Sequence, residues 1–177
     1  MKRRSAIVSI VGPVAWLAGC KAGPAEPAHP VDGRSTLARW PALPVLDLSH
    51  QPTTLPATSS RPRIINVWAL WCPPCRRELP GLQRLALVLA PRGIDLCALA
   101  LADDSFAVRE YLSQHAPQLP GVLLPPRSPA AKQLELAVLP QTFIVAADGR
   151  VLARWLGERD WDSPTARAAL DRLLRLG

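Results

Sequence analysis

Several features that mark common classes of protein are missing from this sequence of 177 residues. It contains no Gly-x-Gly-x-x-Gly motif, so the usual signature of a nicotinamide- or flavin-binding domain is absent. It has one Cys-x-x-Cys motif, with neither a second such motif nor a closely spaced histidine pair to complete a structural zinc site. We therefore expect no bound cofactor and no metal.

Lysine is scarce in a chain whose formal net charge is +7. Of its 21 basic residues only Lys2, Lys21 and Lys132 are lysines, and the remainder are arginines. The arginines are scattered and do not form the cluster with aromatic side chains that follows a phosphate backbone. The charge indicates a solvated basic surface and no nucleic-acid partner, with attraction to anionic lipid headgroups as a second interpretation.

The apolar run near the N-terminus, residues 6–17, is too short for a stable membrane-spanning helix. A basic start, a short apolar stretch and small residues before a cysteine are typical of a secretory signal. Residues 17–20, Leu-Ala-Gly-Cys, are similar to the bacterial lipobox, after which the cysteine is diacylated. We predict a lipoprotein-type signal peptide over residues 1–20 and lipidation of Cys20, with an ordinary signal peptide as the alternative.

The rest of the chain divides into a spacer and one domain. Residues 21–43 are rich in Pro and Ala and have little periodic apolar pattern, so we expect them to form a linker that does not bury enough surface to fold. Residues 44–177 have room for one hydrophobic core and are predicted to form a single domain.

The Cys-Pro-Pro-Cys motif lies between a predicted strand and a predicted helix. Residues 63–70 are apolar and β-branched, as in a buried strand, and residues 76–90 carry leucines at helical spacing. Because proline is tolerated in the first helical turn, Cys72 is predicted at a helix N-terminus, where unpaired N–H groups stabilise a thiolate. We expect Cys72 to be the exposed nucleophile and Cys75, one turn further, to be the shielded resolving thiol.

The Cys72 and Cys75 pair is open to other interpretations. A structural disulfide between such near neighbours would close only a small loop and stabilise the fold little. Two thiolates would also suit copper(I) in a binding module. A disulfide oxidase or isomerase would share the motif and differ only in reduction potential.

The remaining elements are predicted in less detail. A tight hairpin is expected at Asp148-Gly149, since both residues can take positive φ. Cys97 falls in an apolar strand and is expected to be an inert core residue. No element is assigned over residues 117–129. The others are a strand over residues 93–101 and helices over residues 103–115 and 163–176, the first of them capped by Asp104 or Ser105.

Three separated segments share their order with the motifs of one known family. They are residues 66–80, around the two cysteines; residues 138–145, Val-Leu-Pro-Gln-Thr-Phe-Ile-Val; and residues 147–157, which contain Ala-Asp-Gly-Arg-Val. Together they resemble the active site, the cis-proline strand and the final hairpin of the TlpA/ResA-like, DsbE-type thiol–disulfide oxidoreductases of the thioredoxin superfamily. The resemblance implies an α/β thioredoxin-like fold, with a mixed central sheet and helices on both faces.

The same resemblance implies a substrate-binding surface around the cysteines. Trp71, Pro73, Leu139 and Pro140 would contribute to it. Pro140 would be cis and lie beside the cysteines, and the backbone of Leu139 would pair with an extended substrate chain.

Glu78 matches the carboxylate that the family carries three residues after the second cysteine. The resemblance implies a partly buried acid whose raised pKa lets it handle the proton of Cys75. Alternatively, its negative charge serves only to stabilise the first helical turn. Asn66 lies where thioredoxins proper carry a buried aspartate, so acid–base duty would fall on Glu78 or water.

The function implied by the resemblance is the reduction of protein disulfides outside the cytoplasm. The protein would be periplasmic and anchored to the membrane by the lipid on Cys20. A membrane thiol–disulfide electron donor would return the pair to its reduced state. The clients would be disulfide-bearing proteins or apo-metalloproteins, as in cytochrome c maturation or metal-site assembly.

Overall fold

A mixed β-sheet of seven strands lies at the centre of the computed structural model, which describes residues 37–136 and 138–175. The strands in this part are β1 (Leu43–Asp47), β2 (Pro52–Leu55), β3 (Arg63–Trp68), β4 (Asp95–Leu101), β5 (Gly121–Leu124), β6 (Gln141–Val145) and β7 (Val151–Leu156). The α-helices are α1 (Pro73–Leu89), α2 (Ser105–His115), α3 (Pro129–Gln133) and α4 (Pro164–Arg175), and a 3₁₀ turn (Ala90–Arg92) follows α1.

The strand order places β3 near the middle of the sheet. The order is β2-β1-β5-β4-β3-β6-β7. Strands β3, β4 and β5 are parallel, while β1 and β6 run antiparallel to their neighbours β5 and β3. The carboxyl end of β3, from which the chain continues into the Cys-Pro-Pro-Cys motif, is therefore flanked by β4 on one side and β6 on the other.

Alternate residues of β3 pack into two separate hydrophobic cores, one on each face of the sheet. Ile64 and Trp68 lie in the first core, together with apolar side chains of α1, α2 and α4. Ile65 and Val67 lie in the second, which includes α3. A strand buried on both faces explains the continuous apolar sequence of this segment. The predicted mixed sheet with helices on both faces is confirmed.

The packed domain begins earlier than the predicted boundary at residue 44. Trp40 is buried with its ring centroid 5.2 Å from that of Phe143, and its backbone N–H donates to the carbonyl of Gly149 at 2.8 Å. Leu43 is also buried, in β1. The end of the predicted linker over residues 21–43 is thus wrong, because one large aromatic side chain is enough to hold this segment against the sheet. Residues 21–36 lie outside the described residues.

The hairpin between β6 and β7 differs in detail from the predicted tight turn. Gly149 has φ of +85°, but Asp148 does not adopt positive φ. The N–H of Gly149 donates to the carbonyl of Ala146 at 3.0 Å. A Cβ at Gly149 would lie 2.6 Å from the carbonyl oxygen of Ala57, so glycine is required here by space as well as by φ.

The other predicted elements occur close to their expected limits. The Asp104 side chain caps α2 by accepting from the N–H of Ala107 at 3.0 Å. The segment left unassigned contains β5, a strand of four residues between prolines that is too short to show a periodic pattern.

Within residues 37–136 and 138–175, no helix combines the length and the apolar character needed to cross a membrane.

Candidate active site

A disulfide joins Cys72 and Cys75 at the N-terminus of α1. Cys72 is the N-cap residue, and its Sγ accepts a hydrogen bond from the N–H of Cys75 at 3.3 Å. Pro73 and Pro74 follow in the first turn, where a backbone donor would have no helical partner. The predicted helix-terminal position of Cys72 is confirmed, and a donor that faces its sulfur in the disulfide also favours the thiolate once the bond is reduced.

The two cysteine residues differ less in exposure than we expected. In the disulfide form Cys72 is 4% exposed and Cys75 is fully buried. The expectation of an exposed Cys72 is therefore wrong for this state, because the residue packs into the first hydrophobic core. Trp71 and Pro73, by contrast, are exposed, Trp71 to 73%. The exposed indole of Trp71 next to the nearly buried Cys72 residue leaves an apolar surface for a partner to cover.

The peptide bond between Leu139 and Pro140 is cis, as the resemblance implied. Gln141 pairs with Val67, so Pro140 lies opposite the end of β3 from which the chain turns towards Cys72. Leu139 is half-buried and packs against the core that contains both cysteines. Within the described residues its backbone N–H and carbonyl make no hydrogen bond, which leaves them available to an added extended chain.

Glu78 is nearly buried, with 4% exposure, on the same side of α1 as Cys75 one turn earlier. Its Oε1 accepts from Asn66 Nδ2 at 2.6 Å. Its Oε2 accepts from the backbone N–H of Arg159 and from Trp161 Nε1, both at 3.1 Å. Burial raises the pKa of Glu78 to about 7, against the opposing effect of these three donors. A carboxyl with this pKa can take up or release a proton near neutral pH.

Asn66 connects β3 to the Glu78 carboxyl and to β6. Its Nδ2 also donates to Thr142 Oγ1 at 3.0 Å, while its Oδ1 is buried and has no hydrogen-bond partner among the described residues. The sequence motif draws attention to Asn66 but not to Trp161, which is 83 residues from Glu78 in the chain. The two residues do not belong to one sequence motif, so no local pattern in the sequence indicates that they are in contact.

A polar cleft connects Glu78 with solvent. The cleft has a volume of about 210 Å³ and is lined by Glu78 together with charged side chains of α1 and of the segment after β7. Ion pairs join Arg77 to Glu158 and Arg84 to Asp162 across it. The cleft gives the buried carboxyl a polar route along which a proton can exchange with water.

Cys97 lies apart from this site, in the middle of β4 and paired with Ile65 of β3. The residue is half-buried, and burial raises the pKa of its thiol to about 12, so it is held as an unreactive thiol. In the described part of the chain no three His, Cys, Asp or Glu side chains come together as a metal site. Cys20, the predicted lipidation site, lies outside the described residues.

Comparison with known families and proteins agrees with this geometry. The family model described as Redoxin matches residues 32–170. The chain belongs to the Redoxin family, and its fold and Cys72–Cys75 pair place it in the class of thioredoxin-like thiol–disulfide oxidoreductases.

Two curated relatives and one solved structure illustrate the similarity. The thiol:disulfide interchange protein DsbE homolog of Paracoccus denitrificans is 36% identical over 95 residues, which cover 54% of this chain and 50% of that protein. The thiol-disulfide oxidoreductase ResA of Bacillus cereus is 25% identical over 119 residues, 67% of this chain and 68% of ResA. The crystal structure of a thio-disulfide isomerase from Thermus thermophilus superposes with a TM-score of 0.58 at 29% identity, covering 78% of this chain and 94% of that one. The chain thus spans only half the length of the Paracoccus relative.

Proposed function

We propose that this protein is an extracytoplasmic thiol–disulfide reductase that acts on protein disulfides. The observation that carries the proposal is the Cys72–Cys75 disulfide at the start of α1, together with the cis Leu139–Pro140 peptide that precedes β6, the neighbour of β3. Within the described residues the backbone N–H and carbonyl of Leu139 make no hydrogen bond, so they can pair with an extended client chain next to a reactive disulfide.

The proposed reaction proceeds in two exchanges. The thiolate of Cys72 attacks one sulfur of the client disulfide, forming a mixed disulfide and releasing the other client sulfur as a thiolate. The thiolate of Cys75 then attacks the Sγ of Cys72, which restores the internal disulfide and releases the second client sulfur. Two electrons pass to the client, and its two thiolates take up two protons.

Glu78 is the group proposed to manage the proton of Cys75. Its pKa of about 7 means that the carboxylate and the acid are both populated near neutral pH. It lies one turn from Cys75, so it accepts the thiol proton directly or through a water molecule as Cys75 becomes a nucleophile. The polar cleft then returns that proton to solvent.

A donor must supply two electrons and two protons to reduce the internal disulfide after each cycle. We propose a membrane thiol–disulfide electron donor, with the protein held in the periplasm by a lipid on Cys20. The proposed clients of the protein are disulfide-bearing proteins or apo-metalloproteins, as in cytochrome c maturation. The relatives named as a thiol:disulfide interchange protein and a thiol-disulfide oxidoreductase support the exchange reaction itself.

Two cysteine variants test the assignment of nucleophile and resolving thiol. The Cys75→Ser variant should attack a disulfide-bonded peptide but fail to release it, so mass spectrometry should show a mixed disulfide that a reducing agent reverses. The Cys72→Ser variant, its matched control, should trap little or nothing. Trapping by Cys72→Ser instead of Cys75→Ser would reverse the assignment.

The equilibrium reduction potential of the pair decides the direction of the reaction. A reductase should have a potential nearer to that of thioredoxin, about −270 mV, than to that of DsbA, about −120 mV. Reduced protein should also act stoichiometrically and stop, because the sequence has no Gly-x-Gly-x-x-Gly motif to bind NADPH. Turnover that continues with NADPH alone would contradict this.

Isomerase activity is the second candidate, favoured by the likeness to the Thermus thermophilus isomerase. A potential close to about −180 mV, typical of protein disulfide isomerase, would support it. The predicted copper(I) alternative has weaker support, because a cis-Pro140 packed beside the pair would crowd a metal ion bound to the two sulfurs.

A further inference from the structure

A groove beside Cys72 takes no part in the chemistry described above. We name it the basic groove; it has a volume of about 370 Å³ and is lined by Pro73, Arg76, Arg77, Tyr111 and His115. None of these lining residues is acidic. The groove therefore presents cationic and aromatic groups next to the disulfide, and of its two arginines only Arg77 is ion-paired within the described residues, with Glu158.

The position of the basic groove relative to the cysteines follows from α1 and the strand order. The backbone N–H of Arg76 donates to the carbonyl of Cys72 at 3.2 Å, so the two side chains lie one turn apart on the same side of α1. Tyr111 belongs to α2, which follows β4, whereas the cis peptide precedes β6. Because β3 lies between β4 and β6, the groove and the cis peptide flank opposite sides of the strand that leads to Cys72. A client chain that crosses Cys72 would contact both.

Arg76 is the cation in the basic groove that remains unpaired. It is exposed, and within the described residues it makes no ion pair, whereas the neighbouring Arg77 is paired with Glu158. Its Cζ lies 5.9 Å from the centroid of the Tyr111 ring, which stacks on His115 at 4.1 Å with an interplanar angle of 9°. The stacked rings give the guanidinium a defined place without consuming its hydrogen-bond donors.

We propose that the basic groove binds a carboxylate side chain of the client, close to the cysteine that Cys72 attacks. The client is then an extended segment with Asp or Glu beside its disulfide, and Arg76 is the residue that selects it by a charge-assisted hydrogen bond. An arginine and a tyrosine at the edge of a partly buried site are residue types that dominate binding energy in interfaces. The inference rests on the proposed function only in that the occupant is a substrate of Cys72, and it is independent of the direction of electron transfer.

The test compares two synthetic peptides that differ only in having Glu or Gln on both sides of one cysteine. Each peptide carries its cysteine as a mixed disulfide with β-mercaptoethanol, a neutral leaving thiol. The rate of trapping by the reduced Cys75→Ser variant is measured for both. We expect the Glu peptide to be trapped about three to five times faster, the effect of one partly exposed ion pair. This advantage should shrink as salt screens the charges.

Adding Arg76→Gln to the Cys75→Ser variant should bring the ratio of the two rates to about one. The ratio is the correct readout because Arg76 also influences the thiolate of Cys72, and that influence is the same for both peptides. Arg61→Gln is the matched control: Arg61 is exposed, lies before β3 at the opposite end from Cys72, and removes the same charge. The control should keep the preference for Glu.

Charge reversal gives a second, independent measurement. The Arg76→Glu change should make a Lys-flanked peptide react faster than the Gln peptide. Equal rates for the Glu and Gln peptides with Cys75→Ser alone, or a preference that survives Arg76→Gln, would overturn the inference while leaving the proposed function intact. Failure to trap any peptide would instead contradict Cys72 as the nucleophile and remove both proposals.

Discussion

Glu78 accepts hydrogen bonds from three donors and still has a pKa of about 7 in the folded protein. Each donor favours the carboxylate, but desolvation disfavours it more strongly. The Oδ1 of Asn66 lies next to this carboxyl and has no hydrogen-bond partner within residues 37–136 and 138–175, which indicates that the site can also satisfy a neutral group. If the side-chain amide of Asn66 flips, its oxygen can accept a hydrogen bond from protonated Glu78 or from a glutamine that replaces it. The amide nitrogen then no longer donates to residue 78.

Replacing Glu78 by Gln should therefore change how stability depends on pH. The pKa of Glu78 is raised from the usual 4.5 to about 7, so the folded state keeps a proton that the unfolded state loses first. The stabilisation of the folded state by this proton is fully present below pH 4.5 and is lost as the pH rises to about 7. The loss amounts to up to about 3 kcal/mol of unfolding free energy. Glutamine does not titrate, so the Glu78→Gln variant does not lose this stabilisation. Its free energy of unfolding should therefore rise relative to that of the wild type as the pH increases over the same range.

Urea denaturation at several pH values between 4 and 8 measures that difference. The exposed Glu110→Gln change on α2 is the control for removing one negative charge, and it should not gain on the wild type in the same way. A constant difference between Glu78→Gln and wild type across this range would show that the carboxyl does not titrate in the folded state as described.

At the scale of single elements, the β6–β7 hairpin carries Pro140 at its start and is braced by the segment after β2. The carbonyl of Pro140 accepts from the N–H of Gly157 at 2.8 Å, which ties the cis peptide to the end of β7. At the other end of the hairpin, Gly149 lies against the carbonyl of Ala57. That carbonyl also accepts from Arg63 Nη2 at 3.1 Å, so it cannot move away without disturbing a buried guanidinium.

Two glycine substitutions separate the cost of positive φ from the cost of a close contact. Gly149 has φ of +85° and Gly93 has φ of +73°, but a Cβ at Gly93 would meet nothing within 4 Å. We expect Gly93→Ala to destabilise the protein by about 1 kcal/mol, from backbone strain alone. Gly149→Ala should cost at least about 1 kcal/mol more, since its Cβ would lie 2.6 Å from an oxygen atom. If denaturant unfolding shows that both variants lose the same unfolding free energy, the segment around Ala57 moves away from the new Cβ at no measurable cost.

At the scale of the whole molecule, the sequence predicted features that depend on local order and missed those that depend on distant contacts. The strand, the two prolines and the leucine periodicity after Cys75 were sufficient to place Cys72 at a helix start. The contact of Trp161 with Glu78 and the packing of Trp40 on Phe143 join segments more than 80 residues apart, and no periodicity reports them. The burial of Cys72 was missed for the same reason, because it depends on the packing of the complete core.

The last prediction concerns how the whole protein is held at a membrane. If Cys20 is diacylated, two acyl chains should keep the protein in the membrane fraction even when electrostatic attraction is removed. The Cys20→Ser variant should move to the soluble fraction after a high-salt wash, while its Cys72 and Cys75 thiols still exchange with a peptide disulfide. The wash is needed because the chain stays net positive after Lys2, Arg3 and Arg4 are removed with the signal, and that charge can by itself hold a protein on anionic lipid. The Cys75→Ser variant is the matched control, since it loses one cysteine and keeps Cys20, and it should remain with the membrane. If Cys20→Ser also remains there after the wash, the protein is held by something other than a lipid on Cys20.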